Sequence, residues 1–410
     1  MLDELFQLSR VYLREHQFSH RRSEFQSKGF LAHRLSILAG PRGVGKTTLI
    51  IQTLLKYVDN NLFSKAILYV PSDHFLIAQT SLYEIASQFV QEGGQWIAFD
   101  EIHKYPNWSQ ELKSIYETFP RLIVVVSGSS LIELHKGSHD LTRRSVVYKL
   151  NGLSLREYIS LIFNIRIESV TLEQILKRHD EISHEIVSNL SKYNQAILPI
   201  FKQYLKQGYY PYFLELGDLD TYYLTIEQNI IATIETDIPA VYPSLTGHSL
   251  RKIKHILGFL SANVPFKPSY KQLQLAADVT DLRTLKTYLK YLEDAHLIRQ
   301  LLPAGSKFGV LEAAEKLYLH NPNQYYALSI EPNIGTVREL FFLCALQQKQ
   351  LIASPKAGDF LVNESVLFEI GGRKKDYSQL KNHPCGYLAC DDIEIGVGRR
   401  IPLWLFGFLD

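Results

Sequence analysis

Short apolar runs alternate with helix-length segments over the first third of the chain. Residues 35–39, 65–70, 95–101, 121–126 and 145–150 form such runs, and residues 48–57 and 108–119 are the clearest intervening helices. This alternation predicts a parallel, doubly wound α/β sheet.

The pattern then changes. Residues 155–243 read as mainly helical, with Ile197, Ile200, Phe201, Tyr204 and Leu205 at helical spacing. Pro199 fits that helix only in its first turn, and residues 208–211 break the pattern. The neighbouring Tyr209, Tyr210, Tyr212 and Phe213 are expected in the core rather than on a base-stacking surface. Residues 249–302 predict three helices, 250–261, 270–277 capped by Ser269, and 282–295 capped by Asp281. Leu282, Leu285, Leu289 and Leu292 make one buried stripe, with Arg283, Lys286, Thr287 and Lys290 largely off it. A strand at 297–302 would complete a winged helix. From 305 to 410 an α/β unit is expected: a helix at 337–347 carrying Glu339, strands at 359–362 and 366–370 around a turn at 363–365, and a buried terminal strand at 401–409.

Composition narrows the class. The 410 residues are 46% hydrophobic and 21% charged, which suits a folded chain of two to four domains. A net charge of +2 names no partner. Three cysteines, Cys344, Cys385 and Cys390, none in a CxxC pair, argue against a disulfide framework and a structural zinc site. The early acids Asp3 and Glu4 do not suit a secretory signal, and no apolar run approaches the ~20 residues that span a bilayer. A cytoplasmic protein without membrane contact is expected.

One motif carries specific chemistry. Gly40-Pro41-Arg42-Gly43-Val44-Gly45-Lys46-Thr47 matches G-x-x-x-x-G-K-[ST] between a strand and a helix, the order a phosphate-binding loop requires. Its glycines let backbone N–H groups approach phosphates, and the helix N-terminus, with Thr48 in its first turn, adds favourable partial charge. Lys46 should reach the β- and γ-phosphates of ATP, and the Thr47 hydroxyl should ligate Mg²⁺. Asp100 and Glu101 end the apolar run at 95–101, and strand alternation sends them to opposite sides: Asp100 toward Mg²⁺, Glu101 toward the attacking water. In hydrolysing P-loop enzymes a strand lies between those of the loop and the acid, and by analogy residues 121–126 fill that place. Ser127 or Ser129 would then face the γ-phosphate, or simply form a turn. Arg143 or Arg144 would stabilise transition-state charge, in its own chain or a neighbour's in a homo-oligomer, or the two are a solvated pair.

These residues resemble the bacterial AAA-type ATPases that join a P-loop domain to a C-terminal domain of unknown function. The matching stretches are 40–47, 99–108, 127–130, 153–158, 208–213, 237–239, 368–374 and 401–408. The resemblance implies ATP binding, hydrolysis and a helical lid after the core. It also implies a Gly-Arg pair where this chain has Thr142-Arg143-Arg144. The expected domains are a P-loop core at 1–152, the lid at 153–245, the winged helix at 246–304 and an α/β domain at 305–410.

The last two carry further candidates. Residues 249–302 hold nine Lys/Arg against four Asp/Glu. That surplus makes DNA a candidate partner, through Arg283, Lys286 and Lys290. Glu339 on a helix, Asp359 and Glu369 on paired strands resemble the restriction-endonuclease-like fold, whose acids hold a metal. Such nucleases usually place a lysine two residues after the second acid, where this chain has Gly371; Lys374 or Lys375 would need a detour. The expectation is a nuclease-like fold without cleavage.

Overall fold

The computed structural model describes residues 1–17, 22, 29–78, 80–129, 141, 143–267, 269–305, 314–346, 349–378, 380 and 383–409. Ser130 and Thr142, quoted above, and Gln347 lie outside the described residues. The contacts gather the chain into two units, 1–152 with 232–245, and 153–231 with 246–410.

The first unit begins with α1 (Leu2–His16), followed by β1 (Leu35–Ala39), α2 (Lys46–Tyr57), β2 (Ile67–Pro71), α3 (Leu82–Gln91), β3 (Trp96–Asp100), α4 (Trp108–Thr118), β4 (Ile123–Gly128) and β5 (Val146–Lys149). The five strands are parallel in the order β2-β3-β4-β1-β5. β4 therefore lies between the loop-bearing β1 and the acid-bearing β3, as the analogy required. Leu35, Ile37, Leu68, Val70, Ile97, Phe99, Val124 and Val126 turn one sheet face to Leu82, Ile85 and Phe89 of α3 and Leu112 and Ile115 of α4. β1 to β3 are buried throughout and read as continuous apolar runs; β5, at the edge, is largely exposed. A Ser81–Glu84 capping box starts α3.

The second unit opens with α5 (Leu155–Phe163), α6 (Leu172–Ser191), α7 (Ile197–Gln207) and α8 (Leu219–Ala232), whose last residue belongs to the first unit. Pro199 falls in the first turn of α7. The range expected as a lid is divided. α5 to α7 pack within the second unit, where Phe201 meets Phe341 edge-on and Gly407 abuts Leu155, and only 232–245 packs with the P-loop. Apolar spacing shows that a helix is buried but not against what. Tyr209 and Tyr210 are buried, with the Tyr210 hydroxyl bonded to Asn321 and Gln324, as expected of core residues.

Next come α10 (Gly247–Ala262), with α9 (Ile238–Val241) before it in the first unit, α11 (Tyr270–Ala276), α12 (Leu282–Asp294) and an antiparallel pair, β6 (Ile298–Leu301) with β7 (Lys316–Leu319). Ser269 and Asp281 cap α11 and α12 through their side chains. The expected stripe on α12 needs one correction. Leu282, the first helical residue, is 43% exposed, and Tyr288 joins Leu285, Leu289 and Leu292 in the core.

The chain ends with α13 (Pro322–Leu328), α14 (Ile334–Leu346), β8 (Ile352–Ala353), β9 (Phe360–Val362), β10 (Val366–Gly371), β11 (Gly386–Cys390) and β12 (Arg400–Pro402). These strands form a mixed sheet, β12-β11-β10-β9-β8. The expected terminal strand stops at Pro402, and Leu403–Phe408 is a buried 3-10 helix. Among the described residues no helix is long and apolar enough to cross a membrane.

Candidate functional site

The loop between β1 and α2 takes its shape from its glycines. Gly43 and Gly45 have φ of 78° and 92°, where a Cβ is strained. At Gly40 a Cβ would lie 2.2 Å from the Leu150 carbonyl oxygen, so only glycine lets the loop pass there. Buried Arg22 donates to the carbonyls of Val44 at 3.2 Å, Asn151 at 2.8 Å and Gly152 at 3.3 Å. Lys46, 5% exposed, donates from Nζ to the carbonyls of Gly40 (2.9 Å) and Pro41 (3.0 Å). The Thr48 hydroxyl lies 3.2 Å from His16 Nδ1, so its side chain is committed to α1.

The acids converge on this loop. Thr47 Oγ1 donates to Asp100 Oδ2 at 2.5 Å, and the Tyr69 hydroxyl donates to the same oxygen at 2.6 Å. Burial first, then the nearby Asp100 carboxylate, raise the Tyr69 pKa and keep it a neutral donor. A threonine hydroxyl beside a carboxylate is the donor set that fits Mg²⁺. Glu101 departs from expectation. Its φ of 52° ends the strand alternation, and its carboxylate swings to 3.9 Å from Lys46 Nζ rather than to the opposite side. Both acids therefore face the same loop.

Ser127 Oγ donates to Asp100 Oδ1 and accepts from the Glu101 N–H at 3.0 Å. It thus positions the acids. Ser129 Oγ is buried with no hydrogen-bond partner among the described residues, and its backbone N–H donates to His103 Nδ1 at 3.3 Å. Arg144 pairs with Glu117 on α4 at 2.7 Å, and Arg143 is exposed.

Arg42 does more than lend its backbone to the loop. Its Nε and Nη2 donate to Asp237 Oδ2 (2.7 Å) and Oδ1 (2.5 Å). His103 Nε2 lies 3.5 Å from Asp237 Oδ1 and 3.6 Å from Glu101 Oε2. Burial alone would raise the Asp237 pKa; Arg42 and His103 outweigh it and hold the carboxyl well below its usual range. Sequence reasoning gave Tyr69, His103, Arg22 and Asp237 no role. His103 and Asp237 lie inside matched stretches, which was the available signal.

On α12 the basic residues are not equivalent. Lys290 pairs with Asp294 at 2.7 Å and lies 3.7 Å from Glu293, and Lys286 sits 5.9 Å over the Tyr270 ring. Arg283 lies two residues past the Asp281 cap.

In the C-terminal sheet, Lys375 makes the detour. Its Nζ is 2.6 Å from Glu369 Oε1, while the other oxygen, Oε2, is buried without a hydrogen-bond partner among the described residues. A Cβ at Gly371 would lie 2.7 Å from Lys375 Cβ and Cγ, so the missing side chain at 371 leaves the space that Lys375 fills. Asp359 Oδ2 accepts from the Ile370 N–H at 2.8 Å, and the Tyr318 hydroxyl donates to Glu339 at 2.6 Å. Burial first, then the Asp359 charge, raise the Glu339 pKa. Glu369 is also raised by burial, against the opposing pull of Lys375. Among the described residues no three His, Cys, Asp or Glu side chains gather as a cation cage.

Comparison with known proteins agrees with the first unit. Residues 32–159 match the AAA domain family, and residues 198–333 match a domain of unknown function (DUF8612). Uncharacterized protein MJ1637 of Methanocaldococcus jannaschii is 26% identical over 375 residues, spanning 84% of this chain and 77% of that protein. Among solved structures, the Aeropyrum pernix ORC1 protein in complex with DNA aligns with a TM-score of 0.31 at 12% identity, covering 81% of this chain and 93% of that one. C. elegans PCH-2 aligns at 0.24 and 15%, covering 70% and 68%. A DNA replication initiation factor aligns at 0.29 and 14%, covering 66% and 86%. Residues 32–159 of the N-terminal unit are thus similar to an AAA domain.

Proposed function

We propose that this protein is a Mg²⁺-dependent ATPase that couples its nucleotide state to the region after residue 245. The Thr47–Asp100 hydrogen bond carries the reading, because it sets a hydroxyl and a carboxylate together at the mouth of the phosphate loop. Thr47 and Asp100 would hold Mg²⁺, which would neutralise charge on the β- and γ-phosphate oxygens. Lys46 binds those phosphates, and Glu101, beside Lys46, orients the attacking water. Ser129, whose buried hydroxyl has no partner among the described residues, senses the γ-phosphate. Ser127 acts through Asp100 and Glu101. Arg144, paired with Glu117, and exposed Arg143 remain for charge stabilisation across a homo-oligomer.

Calorimetry and phosphate release test this together. Lys46→Ala should abolish nucleotide binding. Glu101→Gln should bind and lose turnover by about 10²–10⁴-fold. Wild-type turnover in Glu101→Gln would remove Glu101 as base.

The three helices and the β6–β7 pair support a winged-helix reading for residues 247–319, with DNA contacted through Arg283 and Lys286 on α12. In an alternative of another kind, slow hydrolysis resets a DNA-binding switch; turnover with and without DNA separates the two. The Lys375–Glu369 pair favours a further reading of the nuclease-like sheet, in which Asp359 and Glu369 hold a divalent cation and Lys375 replaces the lysine missing at 371. Magnesium- or manganese-dependent nicking that disappears in Glu369→Ala would support it, and no nicking by the wild type would end it.

A further inference from the structure

Residues 232–245 are the part of the expected lid that packs with the P-loop unit. They begin in a π-helical turn, Thr233–Asp237. Such turns are rare and concentrate at functional sites. Asp237, at the end of this one, is 1% exposed.

Asp237 joins three parts of the nucleotide site. Both of its oxygens accept from Arg42 of the phosphate loop, whose Nη2 also donates to Thr236 Oγ1 at 3.0 Å. Through His103 it faces Glu101, and the other nitrogen of that ring accepts from the Ser129 backbone. The base candidate and the sensor serine are thus each one residue, His103, away from this carboxylate, and the loop lysine reaches the same network through Glu101.

A buried ion pair adds little net stability, because desolvation offsets most of its attraction. Such a pair is, however, sensitive to a competing charge. A γ-phosphate brings strong acceptors to the loop that carries Arg42, and a planar guanidinium suits phosphate as well as carboxylate. Its charge would also repel Asp237. A diphosphate, ending one group earlier, would compete less.

We propose that the Arg42–Asp237 pair is a γ-phosphate-sensitive latch: closed with ADP, it opens with ATP and frees residues 232–245, which run directly into α10. The proposal rests on the ATP reading above. In it Asp237 is a positioning residue, acting through Arg42 and His103. Because ATP must open the latch, removing the carboxylate should tighten ATP binding relative to ADP.

Hydrogen–deuterium exchange on the full chain tests this, with MgADP and with magnesium ATPγS. In the wild type, amides 232–245 should exchange at least several-fold faster with ATPγS. In Asp237→Asn they should exchange fast with both, and the ratio of ATPγS to ADP affinity from calorimetry should rise about tenfold, the effect of removing one charge-assisted hydrogen-bonded pair. Arg42→Gln breaks the pair from the loop side and should show the same nucleotide-independent exchange, which keeps the test open where Asp237→Asn fails to fold. A wild type that binds both nucleotides with identical exchange at 232–245 would overturn the latch. Binding of neither nucleotide would overturn the ATP reading, and the latch with it.

Discussion

The Tyr69 hydroxyl and the Thr47 hydroxyl share one oxygen of Asp100, at 2.6 Å and 2.5 Å. Tyr69 lies on β2, beside the acid-bearing β3, and holds the carboxylate turned toward α2. Tyr69→Phe should keep nucleotide affinity near wild type and lower kcat about tenfold, the worth of one buried hydrogen bond to a charged group. Unchanged kcat would show that Thr47 and Ser127 orient Asp100 without it.

Gly371 and Lys375 should behave as a coupled pair. Gly371→Ala forces a methyl against Lys375 and should cost about 1–3 kcal/mol in urea unfolding. In a Lys375→Gly background most of that cost should vanish, because both crowding atoms, Cβ and Cγ, are then gone. Equal costs in both backgrounds would mean that the backbone at 371, and not the lysine, requires glycine.

These two relationships show what a sequence can reveal. β1 to β4 are legible because buried parallel strands read as apolar runs, and the Ser269 and Asp281 caps mark α11 and α12. Interactions distant in sequence leave no such trace. Arg42 and Asp237 are 195 residues apart, and no periodicity links them. The turn at Glu101 is local, yet a strand pattern assumes alternation to its end and misses a left-handed residue. At 401–409, apolarity gave the burial of 401–408 but not the conformation, because a strand that ends at Pro402 and the 3-10 helix that follows it are equally apolar.

The basic helix makes a graded prediction. If α12 contacts DNA, Arg283→Ala should reduce the salt dependence of binding by about one unit of slope, as should Lys286→Ala. Lys290→Ala should change it less, since Asp294 and Glu293 already engage that ammonium. Equal effects from all three would show that Lys290 leaves its acids on binding. No salt dependence would remove DNA as a charge-driven partner.

Asp237 should also mark the acid limb of stability. Its folded pKa is depressed, so its contribution is complete above the unfolded value and is lost as pH falls through the folded one. The stability difference between wild type and Asp237→Asn should stay level from pH 7 to about 5 and shrink below about pH 4, near the unfolded carboxylate pKa. Arg42, His103 and Glu101 are the charged or titratable groups that face it, and Arg42→Gln should abolish most of that pH dependence. A difference unchanged down to pH 3 would contradict the ion-pair account.

The most direct measurement is a calorimetric titration of the full chain with magnesium ATP, beside the Lys46→Ala variant. Saturable heat with one site per chain in the wild type, and none in a folded Lys46→Ala, is the predicted result. No heat from the folded wild type, or equal heat from both proteins, would contradict the account.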